Sequence, residues 1–227
     1  MCIMLGPAMT HVHANDTNLW RLPDHALAYL AQADAIPHRT EGEAALLECL
    51  SKPVGCFLDL GSGDGRLVSL VSLVHPQARA LAIDFSETMI DRLEARFRGN
   101  PLVNVAIHDL NASLPEADGP FDAVVSSFAI HHLVHARKRS LYAEVFDRLA
   151  PGGVFCNLEH VASATASLHS QFLAKLGIPA GDEDPSNKLL DVETQLFWLR
   201  EIGFADVDCH WKWRELALLV GIKPATE

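Results

Sequence analysis

Phe57-Leu58-Asp59-Leu60-Gly61-Ser62-Gly63-Asp64-Gly65 is a short apolar run that carries one acid and then meets three glycines at alternate positions. Such a run reads as a buried parallel strand, and the glycines as a loop that turns into a helix beginning near Arg66. Lacking a Cβ, Gly61, Gly63 and Gly65 can adopt left-handed dihedrals and let a ligand lie against bare backbone. The helix that follows offers unpaired N–H groups and the positive end of its dipole to a carboxylate or phosphate. The stretch therefore predicts a nucleotide-type pocket at the carboxyl end of a strand in an α/β fold.

Working outward, Ala80-Leu81-Ala82-Ile83-Asp84 is a second strand-like segment ending in an acid, 84 − 65 = 19 positions after the last glycine. A doubly wound fold places an acid on a ribose hydroxyl pair at roughly 20 residues. A dinucleotide-binding turn needs G-x-G-x-x-G, whereas this chain has G-x-G-x-G with Arg66 where the third glycine should stand. The spacing disfavours a nicotinamide cofactor. Asp59 to Gly65 followed by Asp84 resembles the first two motifs of the class I S-adenosylmethionine (SAM) dependent methyltransferases. That resemblance implies SAM as cofactor, converted to S-adenosylhomocysteine (SAH), with Asp59, Gly61, Ser62, Gly63, Gly65 and Asp84 around it. Phe85 and Met89 flank the acid and are expected to face the ring that its ribose carries.

Further matches follow in chain order. Val103 to Ile107 reads as a third strand, and Asp109 and Leu110 lie just beyond it. In related methyltransferases a polar residue there meets the adenine amino group, a contact a carboxylate can make by accepting an N–H. Phe121 to Ser127 reads as strand four and runs into Phe128-Ala129-Ile130-His131-His132-Leu133, a form that resembles the family's small-molecule and quinone-type members. Strand four adjoins strand one where the strand order reverses, so Ser126 and Ser127 are expected to line the crevice. Histidine suits proton removal near neutral pH, so His131 and His132 are the candidate bases, His131 preferred; adjacent side chains point differently, and one of them at most should face the acceptor. A metal site on His131 and His135 lacks supporting ligand spacing, and none is expected.

The segment before the first strand is helical in two pieces, Asp24–Ala33 and Thr40–Leu50, with Thr40 and Glu43 spaced as a capping box. Residues 1–18 lack periodicity and read as a flexible tail ahead of a single domain, 19–227. By resemblance, 19–50 and about 160–203 form a lid, with Trp20, Tyr29, His38 and Arg39 as its candidate ligand contacts. Helices are expected at Ala136–Leu149, stopped by Ala150-Pro151-Gly152-Gly153, and from Ser163 and Asp191, with two antiparallel strands at the end.

Composition narrows the functions. The net charge of −11, from 29 acids and 18 bases, supplies no positive field for a polyanion and disfavours nucleic acid as substrate. No apolar run reaches membrane-spanning length, and the five cysteines, scattered and without a C-x-x-C pair, fit a reducing compartment. The expectation is a cytoplasmic enzyme, free of membrane and open to homodimer formation, with a doubly wound, seven-stranded, mostly parallel Rossmann-like sheet, methylating a small-molecule acceptor. Two readings stay open beside it: a SAM-binding protein that does not methylate, resembling carboxy-SAM synthase or a regulator, and an NAD-dependent dehydrogenase.

Overall fold

The apolar run at Phe57 is the central strand of a seven-stranded sheet. In the computed structural model, which describes residues 22–32, 36–116, 119–179 and 181–225, the strands are β1 (Cys56–Leu60), β2 (Arg79–Asp84), β3 (Val103–Ile107), β4 (Phe121–Ser127), β5 (Leu149–His160), β6 (Ala205–Trp213) and β7 (Leu216–Ile222). Their order is β3-β2-β1-β4-β5-β7-β6, parallel except for β7, which runs antiparallel to both β5 and β6. The order reverses between β1 and β4, which opens a crevice at their carboxyl ends. The expected tail and Trp20 lie outside the described residues, as does the side chain of Tyr29.

Alternation along each strand divides the core into two layers. Leu58, Leu60, Ile83, Val124 and Phe155 pack on one face with Leu141 and Val145 of α5 (His135–Arg148) and Leu199 of α7 (Val192–Ile202). Phe57, Ala82, Ala123, Val125 and Leu218 fill the other with Leu46 of α2 (Arg39–Cys49), Val68 of α3 (Arg66–Val74) and Leu93 of α4 (Glu87–Arg96). The remaining helices are α1 (Pro23–Gln32), which rests against α4, and α6 (Ala166–Leu176). Asp191 caps α7 by accepting from the Thr194 N–H at 2.7 Å, and Gly203 closes that helix at φ 117°.

Two local expectations need correction. Thr40 and Glu43 form no capping box: His38 is the N-cap of α2, in the left-handed region, and Glu43 turns inward to two arginines. Pro151-Gly152-Gly153 does not precede β5 but lies within it, as an irregularity in its ladder with β4, where the Gly152 N–H donates to Lys223 O at 2.8 Å. The buried face of α3 is Leu67, Val68 and Val71, while Val74 is half exposed at its end.

Candidate active site

A cavity of about 340 Å³ occupies the carboxyl ends of β1, β2 and β4. Gly61, Ser62 and Gly63 form its floor, and the glycines of the loop serve different ends. At Gly61 (φ 68°) a Cβ would stand 2.2 Å from the Ala129 Cβ, and at Gly65 (φ 84°) 2.4 Å from Leu93 Cδ1, so both are demanded by packing inside the protein. A Cβ on Gly63 (φ 55°) would meet nothing within 4 Å: this backbone is the one left open toward a ligand. Gly65 accordingly lies behind the cavity wall, at the N-cap of α3.

Asp84 organises the second side. Its Oδ2 accepts the Gly63 N–H and its Oδ1 the Ser86 N–H, each at 2.9 Å, so the carboxylate ties the glycine loop to the start of α4 and still has lone pairs for a ligand. Burial raises its pKa, opposed by the N–H groups of Ser86, Gly63 and Phe85. Phe85 and Met89 stand beside it, and Asp109 and Leu110 continue the wall from the loop after β3. The neighbouring His108 also lines the cavity; its Nε2 is buried and has no hydrogen-bond partner among the described residues.

Asp59 is buried without compensation for its charge. It is 1% exposed, neither carboxyl oxygen has a hydrogen-bond partner among the described residues, and burial pushes its pKa up to about 7. The Ser62 hydroxyl tempers the rise, although its own hydrogen bond goes to the Asp59 carbonyl at 3.0 Å; the field of Asp84 adds to it. Two of the arginines that line the cavity, Arg39 and Arg66, share one carboxylate. Glu43 Oε1 accepts Arg39 Nε at 2.9 Å and Arg66 Nε at 2.7 Å, while its Oε2 accepts Arg66 Nη2 at 2.8 Å. Arg39 also lies over the Phe128 ring, 5.5 Å from its centroid, and Phe128 is held at φ 54°, strained for a residue with a Cβ.

This cavity, at the switch point of a seven-stranded sheet, coincides with what the chain is similar to. Residues 57–153 match the family model for a methyltransferase domain. The ubiquinone/menaquinone biosynthesis C-methyltransferase UbiE of Desulfotalea psychrophila is 31% identical over 172 residues, covering 70% of this chain and 68% of the relative. This chain belongs to the class I SAM-dependent methyltransferases. The demethylmenaquinone methyltransferase of Clavibacter sepedonicus is 30% identical, covering 74% of each chain. An O-methyltransferase family protein from Burkholderia thailandensis shares the fold at a TM-score of 0.69 and 18% identity, across 94% of this chain and 62% of its own length. The methyltransferase thus spans about three fifths of that structure.

SAM is the cofactor of the family, and the cavity's donor set fits it. A buried, partnerless carboxyl in Asp59 suits an ammonium, the Arg39 and Arg66 pair suits an α-carboxylate, Asp84 suits a ribose diol, and Gly63 leaves room for the chain between them. When bound, SAM supplies an electrophilic methyl carbon whose bond pair stays on sulfur as the methyl leaves. The methyltransferase itself has to align the acceptor and receive its proton.

The residues at the end of β4 and just beyond it are sorted by their direction. Ser127 lines the cavity, whereas Ser126 is fully buried and donates to Leu60 O at 2.8 Å, stitching β4 to β1. A strand's alternation sends neighbouring side chains to opposite sides, so only one serine could face the crevice. The same division separates the histidines in the 3₁₀ turn Ile130–His132: His132 is part of the cavity wall, and His131 is turned away and buried behind it. Of the two candidate histidines, His132 is the one that lines the cavity. His131 Nδ1 contacts Glu159 Oε1 at 2.7 Å, burial holds that histidine neutral, and Glu159 is also bonded by the His160 N–H. His132 Nδ1 meets Ser186 Oγ at 2.8 Å; burial, with the neighbouring His131, pushes its pKa down to about 2. Among the described residues, no cluster of three or more His, Cys, Asp or Glu side chains could hold a metal.

Proposed function

We propose that this methyltransferase transfers a methyl group from SAM to a small-molecule acceptor, held against the His132 side of the cavity. The observation that carries the reading is that the acids and arginines suited to SAM and the neutral His132 ring line one cavity. The acidic surface supports a small molecule over a polyanion. The relatives' names, which place them in ubiquinone and menaquinone biosynthesis, favour a quinone-type acceptor. In this reading α1, α2 and the segment 160–203 act as the lid, and cytoplasm is the working compartment, in keeping with the free thiols of Cys49, Cys56, Cys156 and Cys209 among the described residues. No helix among the described residues is long and apolar enough to cross a membrane.

Calorimetric titration with SAH, after mass spectrometry of any small molecule released on denaturation, tests the cofactor half. Tight binding followed by label transfer from methyl-labelled SAM to a quinol in an acceptor screen is the expected outcome. Release of carboxy-SAM, or SAH binding with no methyl transfer to any acceptor, would favour the non-methylating alternative. A well-folded sample that ignores SAH would refute the assignment.

A further inference from the structure

Helix α2 lies close enough to the sheet to bring two thiols together. A Cβ on Gly42 would stand 2.9 Å from Leu158 Cδ1 on β5 and 2.9 Å from Trp211 Cζ3 on β6, so only a glycine lets the helix approach this far. About two turns further on, Cys49 ends the helix, and its Sγ lies 3.5 Å from Nδ1 of His210, the residue before Trp211. Cys156, two residues before Leu158 on β5, is the other neighbour, and its thiol hydrogen-bonds to Cys49. The helix thus runs back along β5, from Leu158 at Gly42 to Cys156 at Cys49.

The two thiols differ in access and in acidity. Cys156 is fully buried, whereas Cys49 is only partly so and stands beside the exposed His210. The hydrogen bond from Cys156 and the adjacent His210 bring the pKa of Cys49 from 9.0 down to about 7, against burial and the charge of Glu48 on the same helix. The same bond, with burial, holds Cys156 well above its ordinary value. Near neutral pH the charge of the pair therefore sits on Cys49, the sulfur that solvent reaches. As a thiol Cys49 donates to Ala45 O at 3.2 Å, a bond given up on ionisation. Only a thiolate is nucleophilic, and at pH 7 about half of Cys49 is in that form, against a few per cent of an ordinary cysteine.

We propose that Cys49 and Cys156 form a reversible redox pair, in which Cys49 reacts with a hydroperoxide and Cys156 resolves the product to a disulfide. The Cys49 thiolate attacks the outer peroxide oxygen: an S–O bond forms, the O–O bond breaks, and its electron pair leaves on the alkoxide or hydroxide, which takes a proton. Sulfur is oxidised to a sulfenic acid, and the peroxide is reduced to an alcohol, or to water where it is hydrogen peroxide. That step removes the charge of Cys49 and with it a main reason that Cys156 keeps its proton. The Cys156 sulfur then attacks Cys49, an S–S bond replaces the S–O bond, and the departing hydroxide takes the Cys156 proton as water. Burial excludes the reverse order, because an oxidant cannot reach Cys156 first. The disulfide fastens the last turn of α2 to β5, and the first residue of that helix, Arg39, lines the cofactor cavity. A dithiol reductant, itself oxidised to a disulfide, restores both thiols, as a transient bond in a reducing compartment requires.

The full chain is treated with a small excess of hydrogen peroxide, capped with N-ethylmaleimide and digested for mass spectrometry. The expected product is a peptide pair joined through Cys49 and Cys156, two hydrogens lighter than the free thiols and separated again by dithiothreitol. In Cys156→Ala, dimedone should instead capture Cys49 as its sulfenic acid. Recovery of Cys49 and Cys156 as capped thiols, Cys49 joined to Cys2, Cys56 or Cys209, or a disulfide between two copies of the chain would each overturn the pair. A second measurement needs no variant. At pH 7 iodoacetamide should modify Cys49 about tenfold faster than Cys56 or Cys209, whose pKa values burial raises. Equal rates at the three cysteines would remove Cys49 as the nucleophile and overturn the proposal.

Discussion

Replacing Asp59 by Asn should make the protein more stable and a worse binder of its cofactor. With its pKa moved from 3.8 to about 7, native Asp59 holds a proton that the unfolded chain has released between those values. The sign follows from linkage: the native state binds more protons than the unfolded state in this window, so stability falls as pH rises through it. Three pKa units at about 1.4 kcal/mol each set the full penalty above neutrality at about 4 kcal/mol, an upper bound for a group this buried. Asn fills nearly the same volume without titrating. At about pH 5 a little over one of those units is already spent, so urea unfolding at about pH 5 and about pH 8 should show a stability advantage of Asp59→Asn that grows with pH by up to about 3 kcal/mol. In the presence of SAH the order should invert, because the ammonium stabilises ionised Asp59 and finds no charge on Asn. Wild-type binding at mildly acid pH should then release protons, visible as a dependence of the calorimetric heat on the buffer's ionisation enthalpy. An advantage that is equal at both pH values, or SAH affinity untouched by the substitution, would refute the account of an ionisable group kept unpaired for a cationic ligand.

The two loop glycines should separate stability from binding. Gly61→Ala adds a clash with Ala129 to left-handed strain and should cost about 3 kcal/mol in chemical unfolding. Gly63→Ala adds strain alone, about 1 kcal/mol, but should lower SAH affinity by a larger factor because its methyl enters the cavity. Glu43→Ala removes the buried carboxylate shared by Arg39 and Arg66 and should destabilise the fold by about 3 kcal/mol, read from the urea midpoint. His169 is bonded at both ring nitrogens by carboxylates, to Glu215 at 3.0 Å and Glu183 at 3.1 Å, and these outweigh burial to raise its pKa above 6.5. Its stabilisation is complete below 6.5 and is lost as pH rises through the raised value, so His169→Gln should remove that pH-dependent part of the unfolding curve.

The sequence by itself determined whatever depends on near neighbours. A continuous apolar run, alternating glycines and an acid 19 positions on specify a strand, a bare loop and a second strand end, because their meaning lies in backbone sterics and period. The same reasoning placed Asp191 at the start of α7. Only the tertiary structure decided between residues that stand side by side. Ser126 against Ser127 depends on which face of β4 meets the crevice, and His131 against His132 on how the 3₁₀ turn leaves that strand. It also supplied the long-range partners. Glu43, spaced like a cap for its own helix, is instead drawn to Arg66 across the fold, since a buried ion pair with two arginines outweighs one exposed capping bond. Asp59 acquires its raised pKa only when packing takes away its water. Ser186 meets His132, and Asp184 meets Ser186, only because the loop between α6 and α7 is brought to the histidine turn in the assembled fold. Spacing records local geometry; the direction of a side chain, and the water it loses, are properties of the assembled sheet.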